Sequence, residues 1–174
     1  MKLFIASDIH GSGKYVKLLE ERFNESKCDK LILLGDLLYH GPRNKLPIEY
    51  DPEVVYTTLN KYKDRIMAVR GNCDSEVDQM VLEFPIMDDY LFLNIDNHNI
   101  YFSHGHINER INYDDNDILI NGHTHVYVLS KNYINVGSIS IPKNNTLNSY
   151  VIYEDNTFYL YDLITNNLID KIDI

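Results

Sequence analysis

The chain has 174 residues, of which 44% are apolar and 24% charged, and its formal charge is −10 at pH 7. This length suits one domain spanning 1–174 with a sizeable core, and the balance excludes a disordered chain. The acidity argues against a nucleic-acid polymer as partner, because non-specific affinity for such polyanions runs on Lys and Arg contacts to phosphate.

The first apolar run (KLFIAS, 2–7) reads as a strand. It ends at Ser7, with Asp8 and His10 directly behind it, which is too short for a signal peptide or a membrane span. The expectation is a protein that stays in the cytoplasm without a membrane partner. Its two cysteines, Cys28 and Cys73, form no CxxC and fit a reduced compartment. Val16, Leu19 and Phe23, spaced by three and four, predict a helix over 13–26, and the continuous apolar run 30–35 predicts a strand buried on both faces. Asp51, Pro52 and Glu53 form a helix start, with the cap, the proline and the acid each where the helix N-terminus favours them. Val55, Leu59 and Tyr62 then mark its inner stripe, and 65–70 is a third strand.

The second half changes character. A hairpin is expected over 90–95 and 99–104, turning around Asn97. Further strands are expected at 117–121, 126–130, 133–136, 149–154, 157–163 and 168–173, several with apolar–polar alternation. A βαβαβ half followed by a mostly β half suits an α/β fold of two packed sheets with helices outside.

Five short motifs carry the chemistry: Asp8-Ile9-His10, Gly35-Asp36, Gly71-Asn72-Cys73-Asp74, His104-Gly105-His106 and Gly122-His123-Thr124-His125. Each follows a predicted strand, where ligand sites of α/β folds gather. Alone, each motif is weak, since an Asp after a strand often caps a helix and the Asn of a GN pair often only makes a turn. Together they hold five of the seven histidines, leaving His40 and His98 in predicted loops. Within each histidine motif the polar residues are two apart, which on an extended strand end puts both side chains on one side. Imidazole, carboxylate and amide oxygen donors suit two divalent ions such as Mn, Fe, Zn, Ni or Co, with Mn the first choice. The lack of a thiolate cluster disfavours a structural zinc site. Asp36, alone on its loop, is the natural bridge for two metals roughly 3.5–4 Å apart. Asp74 and Asp78 read as residues that cap and populate the first turn of a short helix. Arg43, in the HGPRN loop, is placed either to grip a phosphate oxygen or to sit exposed or at an interface.

In these residues the sequence resembles the calcineurin-like metallophosphoesterase superfamily, whose D-x-H, GD, GN, H and G-H-x-H motifs occur here in the same order. Within it, GDLLYHGPRNKLP (35–47), VRGNCDSEVDQM (69–80), SHGH and SIPK (140–143) resemble the YfcE-type bacterial phosphodiesterases. The resemblance implies a four-layer α/β/β/α sandwich of two mixed β-sheets flanked by helices. It also implies two metal sites, Asp8, His10, Asp36 and His125 for the first and Asp36, Asn72, His104 and His123 for the second, with attack by a metal-bridging hydroxide. Asp36, Asn72 and His104 are then the expected catalytic residues, Asn72 meeting the phosphate beside both metals. His106 lies outside that set and is expected behind it, orienting His104 or meeting substrate. Many members read GNH, with a histidine that protonates the leaving group. Here Cys73 stands in that place, and a thiol of unperturbed pKa near ~8.5 is a poor substitute. The implied function is hydrolysis of a small phosphodiester. Alternatives are a phosphomonoesterase or nucleotidase, with a nuclease third, and a protein-interaction scaffold of the same fold. The sequence leaves a homo-oligomer open.

Overall fold

The computed structural model describes residues 1–174. Its first half alternates as expected: β1 (Leu3–Ala6), α1 (Gly13–Ser26), β2 (Lys30–Leu33), α2 (Pro52–Asn60) and β3 (Ile66–Ala68). A one-turn helix, α3 (Glu76–Gln79), follows. Then come β4 (Tyr90–Ile95), β5 (His98–Ser103), β6 (Ile118–Asn121), β7 (Val128–Leu129), β8 (Tyr133–Asn135), β9 (Ser149–Glu154), β10 (Thr157–Asp162) and β11 (Leu168–Asp173). Both long helices start at a side-chain cap, that of α2 as expected. Ser12 accepts the Tyr15 N–H, and Asp51 accepts the Val54 N–H with Pro52 at the first helical position.

The strands form two mixed sheets, ordered β11-β10-β9-β1-β2-β3 and β4-β5-β6-β8-β7. β1 runs parallel to β2 and antiparallel to β9, and β5, β6 and β8 run parallel to one another. The central strands of the first sheet are apolar throughout because both faces are covered. Leu3 and Ile5 point into a core shared with Phe102, Ile120 and Ile134 of the second sheet. Phe4 and Ala6 point the other way, into a core with Val16, Leu19 and Phe23 of α1 and Val55 and Leu59 of α2. Phe4 stacks on Tyr150 of β9 at 4.4 Å between ring centroids within the sheet and meets Phe23 of α1 edge to face at 5.9 Å, so rings join aliphatics in holding the helix layer on the sheet.

The result is the expected α/β sandwich of two mixed sheets with flanking helices. The layer over the second sheet is thin. It is the segment between β5 and β6, with one 3₁₀ turn at Asn108–Arg110, whose Ile107 and Ile111 are buried and whose Tyr113 lies 6.2 Å from the Tyr101 ring. Three local expectations need correction. His98 opens β5 rather than lying in a loop, because Asp96 and Asn97 together make a two-residue turn with φ of 52° and 67°, the geometry of a type I′ hairpin. The strand expected at 126–130 shrinks to Val128–Leu129 at the sheet edge, since the preceding histidine loop uses up the chain. Asp78 does close a capping box with Ser75, but Asp74 caps nothing and is buried beneath the site.

Candidate metal centre

β1, β2 and β3 of one sheet and β5 and β6 of the other end at a common rim, and the five motifs are the loops leaving those ends. The extended geometry expected of the histidine motifs is not what assembles them. Asp8, His10, Asp36, His123 and His125 all have positive φ, between 50° and 68°. Non-glycine residues avoid this region, at a cost of about 1–3 kcal/mol each where they are bulky. Five such residues at one rim mean that the surrounding packing holds the loops against local preference. The holding groups are visible: the Ser138 and Ser140 hydroxyls donate to the Asp8 carbonyl at 2.9 and 2.8 Å, and the His123 N–H donates to Asp8 Oδ2 at 2.9 Å. Two motif glycines are there because the loops touch. A Cβ on Gly122 would meet Ser7 Oγ at 1.9 Å, and one on Gly71 would meet Asp36 Oδ1 at 2.1 Å.

The ring orientations are fixed from behind. Nδ1 of His10 lies 2.8 Å from the Tyr39 carbonyl, Nδ1 of His104 2.6 Å from that of Leu34, and Nδ1 of His125 2.8 Å from that of Ile141. A carbonyl only accepts, so each Nδ1 carries the proton and donates it, and each Nε2 turns its lone pair toward the rim. Those lone pairs then face one another and the carboxylates. His10 Nε2 is 3.3 Å from His125 Nε2, and both are within 3.3 Å of Asp8 Oδ1, which is buried with no hydrogen bond. His104 Nε2 lies 3.4 Å from Asp36 Oδ2, 3.0 Å from Asn72 Oδ1 and 3.1 Å from His123 Nδ1. Acceptor facing acceptor is stable only with positive charge between them. The donors thus form two clusters, one around Asp8 and one around His104. Asp36 lies between them, its Oδ2 3.6 Å from His10 Nε2 and 3.4 Å from His104 Nε2. The residues present fit divalent cations, and the seven side chains expected as ligands are together.

Protons are the alternative source of that charge. Burial opposes a proton on His104, but the Asp36 and Asp8 carboxylates outweigh it and lift its pKa to about 9. His10 is raised by Asp8 and Asp36 against burial, while burial and the His104 charge lower His123 and His106. Burial works against ionisation of Asp8 and Asp36 as well. It is outweighed at Asp8 by His10 and His125 and at Asp36 by His104, so both carboxyls stay below their usual range. A metal at His104 must therefore displace a proton at any pH below 9. The apparent affinity of metal-free protein for a divalent ion is expected to rise about tenfold per unit from pH 7 to about 9 and then level off. Calorimetric titration in buffers of different ionisation enthalpy should count at least one proton released per chain at pH 7. A flat pH dependence with no proton release would remove His104 from the ligand set.

The remaining expected residues lie around this cluster. His106 touches His104 edge to face at 5.3 Å, but the hydrogen bond that orients His104 comes from Leu34. The Cys73 N–H donates to Asp36 Oδ1 at 2.8 Å, and burial together with Asp36 pushes the Cys73 thiol up to about 12, so it holds its proton more tightly than a free cysteine does. Above the cluster opens a polar cavity of about 350 Å³, lined by Asp36, Asn72, Cys73, His123 and His125 and by Arg43 and Lys143 at its mouth. Arg43 is exposed and lines this cavity. Lys143 escaped the sequence reading as a site residue. Its SIPK segment was legible only as a resemblance, and the lysine reaches the mouth through a hydrogen bond from its own N–H to the His125 carbonyl. Asp74 was also missed. Its carboxylate accepts the N–H groups of Asp36, Leu37 and Gly71 at 2.8, 2.8 and 2.7 Å, tying the β2 loop to the β3 loop.

The sequence pattern of the calcineurin-like phosphoesterase superfamily domain matches residues 1–157. This chain belongs to that superfamily. Phosphodiesterase YfcE of Escherichia coli K12 is 39% identical to it, across 100% of this chain and 98% of that protein. The structure of YfcE, a phosphoesterase from E. coli, covers 100% of both chains with a TM-score of 0.93. Vps29 from Entamoeba histolytica, solved in complex with Zn²⁺, covers 99% of both chains with a TM-score of 0.63 at 20% identity and shares the fold. As a member of the superfamily the chain is a phosphoesterase, and the family implies divalent metals at the rim where the donors converge. No helix is long and apolar enough to cross a membrane.

Proposed function

We propose that residues 1–174 form one cytoplasmic metallophosphoesterase domain that hydrolyses the phosphodiester bond of a small substrate with two divalent metal ions, manganese first among them. Asp8, His10, Asp36 and His125 would hold one ion. Asp36, Asn72, His104 and His123 would hold the other. The observation that carries this reading is the convergence of seven donor side chains on one rim, with Asp36 Oδ2 within 3.6 Å of the Nε2 atoms of both His10 and His104.

Bound there, the metals would supply a water-derived nucleophile at neutral pH and positive charge opposite the phosphoryl oxygens. The chain's own residues do the rest. The backbone carbonyls of Tyr39, Leu34 and Ile141 hold His10, His104 and His125 in the tautomer that presents Nε2. Asn72, its amide nitrogen 3.2 Å from Cys73 Sγ, turns its oxygen to the centre. Arg43 and Lys143 at the mouth offset the acidity of the chain where a phosphate enters. The polar cavity has the volume of a small-molecule site rather than a polymer groove. With Cys73 held protonated, the diesters turned over best are those whose leaving group departs without a strong acid.

Metal-free protein reloaded with Mn²⁺, Zn²⁺, Ni²⁺ or Co²⁺ and assayed on parallel panels of diesters and monoesters tests this. The expected result is two ions per chain by elemental analysis, activity lost on chelation and restored most by Mn²⁺, and diesters preferred. Trace metal only, after reloading, would sink the dinuclear reading. A consistent preference for monoesters would replace the diesterase by a phosphatase.

A further inference from the structure

A second cavity, of about 400 Å³, adjoins the polar one and differs from it in character. The polar cavity has one hydrophobic residue among its eleven, whereas seven of the ten residues lining the second are hydrophobic. Its walls are the rings of Tyr39, Tyr50 and Tyr56 with Val77 and Val81, and Cys73 is common to both cavities. The junction is close to the chemistry. Cys73 Sγ, a His10 ring nitrogen and an Asp36 carboxylate oxygen all lie within 4.8 Å of one another.

The walls are also built into the metal centre. Tyr39 accepts the His10 Nδ1–H through its backbone carbonyl while its side chain lines the apolar cavity. The Tyr50 ring packs on Gly11, the residue after His10, so closely that a Cβ there would meet it at 2.5 Å. The His40 ring stands between Tyr39 and Tyr50, at 4.7 and 5.3 Å from them and edge-on to both, which fixes the spacing of the two walls. The far side is open, and Tyr39 and Val77 are 41% and 69% exposed. An enzyme acting on a bare phosphate or a small polar ester has no use for a tyrosine-walled apolar chamber opening onto its phosphate site.

We infer that this chamber is a substrate subsite that takes an uncharged aromatic ester group of the phosphodiester, while its phosphate lies in the polar cavity across Cys73. Three tyrosines give a flat ring edge-to-face and offset partners, which an aliphatic chain cannot use. The absence of any Lys or Arg from this lining disfavours a second phosphate. The inference rests on the diesterase reading above and narrows its substrate class.

The test is equilibrium binding of phenylphosphonate and methylphosphonate to the Mn²⁺-loaded enzyme, with hydrolysis of bis(4-nitrophenyl) phosphate measured on the same preparation. Burial of one ring predicts that the phenyl compound binds about tenfold or more tightly. Val77→Asp, a change at an exposed position, and Tyr39→Ala, which keeps the backbone carbonyl, should each erase most of that preference and raise KM for the aryl diester more than they lower kcat, with metal content unchanged. Equal affinity for the two phosphonates in an enzyme that hydrolyses the diester overturns the subsite alone. No hydrolysis with two ions bound overturns the diesterase reading, and the subsite with it. Burial of this face by a second copy of the chain would appear as mass rising with concentration and no phenyl preference, and that too overturns the subsite.

Discussion

Asp36→Asn is expected to lower kcat by about 10³-fold or more and to leave the protein with at most one bound metal ion per chain. The substitution keeps the shape of the side chain, so packing is not at issue at a position only 2% exposed. What changes is charge and donor count. Asp36 Oδ1 accepts the Cys73 N–H, an acceptor role that an amide oxygen can keep. Oδ2 faces His10 Nε2 at 3.6 Å and His104 Nε2 at 3.4 Å, and in the variant an NH₂ group with two donors stands there. An amide nitrogen cannot ligate a cation, so both proposed ions would lose their shared carboxylate at once. The pKa of His104 should fall as well, since Asp36 is among the groups that raise it. The measurement is metal content by elemental analysis beside turnover of an aryl diester. A fully active variant with two ions bound would show that Asp36 bridges nothing.

Much of this site was legible before any coordinates because its parts are short and lie where strands end. The apolar runs at 2–7, 30–35 and 65–70 located β1, β2 and β3, and the polar residues after them fell at the rim by the topology of parallel strands. The start of α2 was readable because its cap is local, with Asp51 three residues from the Val54 N–H it binds. The illegible features depend on distant partners. A two-residue spacing suggested extended backbone at Asp8–His10 and His123–His125, yet their left-handed conformations are imposed by Ser138 and Ser140 and by the crossing of the two loops. Lys143 and the three tyrosines of the apolar chamber carry no local pattern that marks them as site residues, and they are brought together by the β8–β9 connection, the loop before α2 and α2 itself. Asp74 sits in a stretch whose local signals all say helix start, and the groups it serves, Asp36 and Leu37, lie 38 and 37 residues away.

Asp74→Ala should therefore be the most destabilising single change near the site, at about 3–5 kcal/mol. Three backbone N–H groups point at this carboxylate, those of Asp36, Leu37 and Gly71, and the side chain is 3% exposed. Burial pushes its carboxyl up to about 6 while the three N–H groups pull the other way, so it is ionised at pH 7. Removing it leaves three donors buried without an acceptor, each costing roughly 1–3 kcal/mol, and part of that loss is recovered if water enters the gap. For a chain of this size the melting temperature of the metal-free protein is expected to fall by about 6–20 °C. The same N–H groups position the Asp36 backbone and the Gly71–Asn72 turn, so the variant should also bind metal more weakly even at temperatures where it stays folded. Asp74→Asn separates the two effects. Its amide oxygen can accept from one or two of the N–H groups, but its NH₂ opposes the third, so it should be less destabilised than Asp74→Ala and still weakened in metal binding. Thermal denaturation with and without Mn²⁺ reads both quantities, the second from the metal-induced rise in melting temperature. Wild-type melting temperature and wild-type metal response in Asp74→Ala would mean that the two loops are held together by the packing of Gly71 on Asp36 rather than by the carboxylate beneath them.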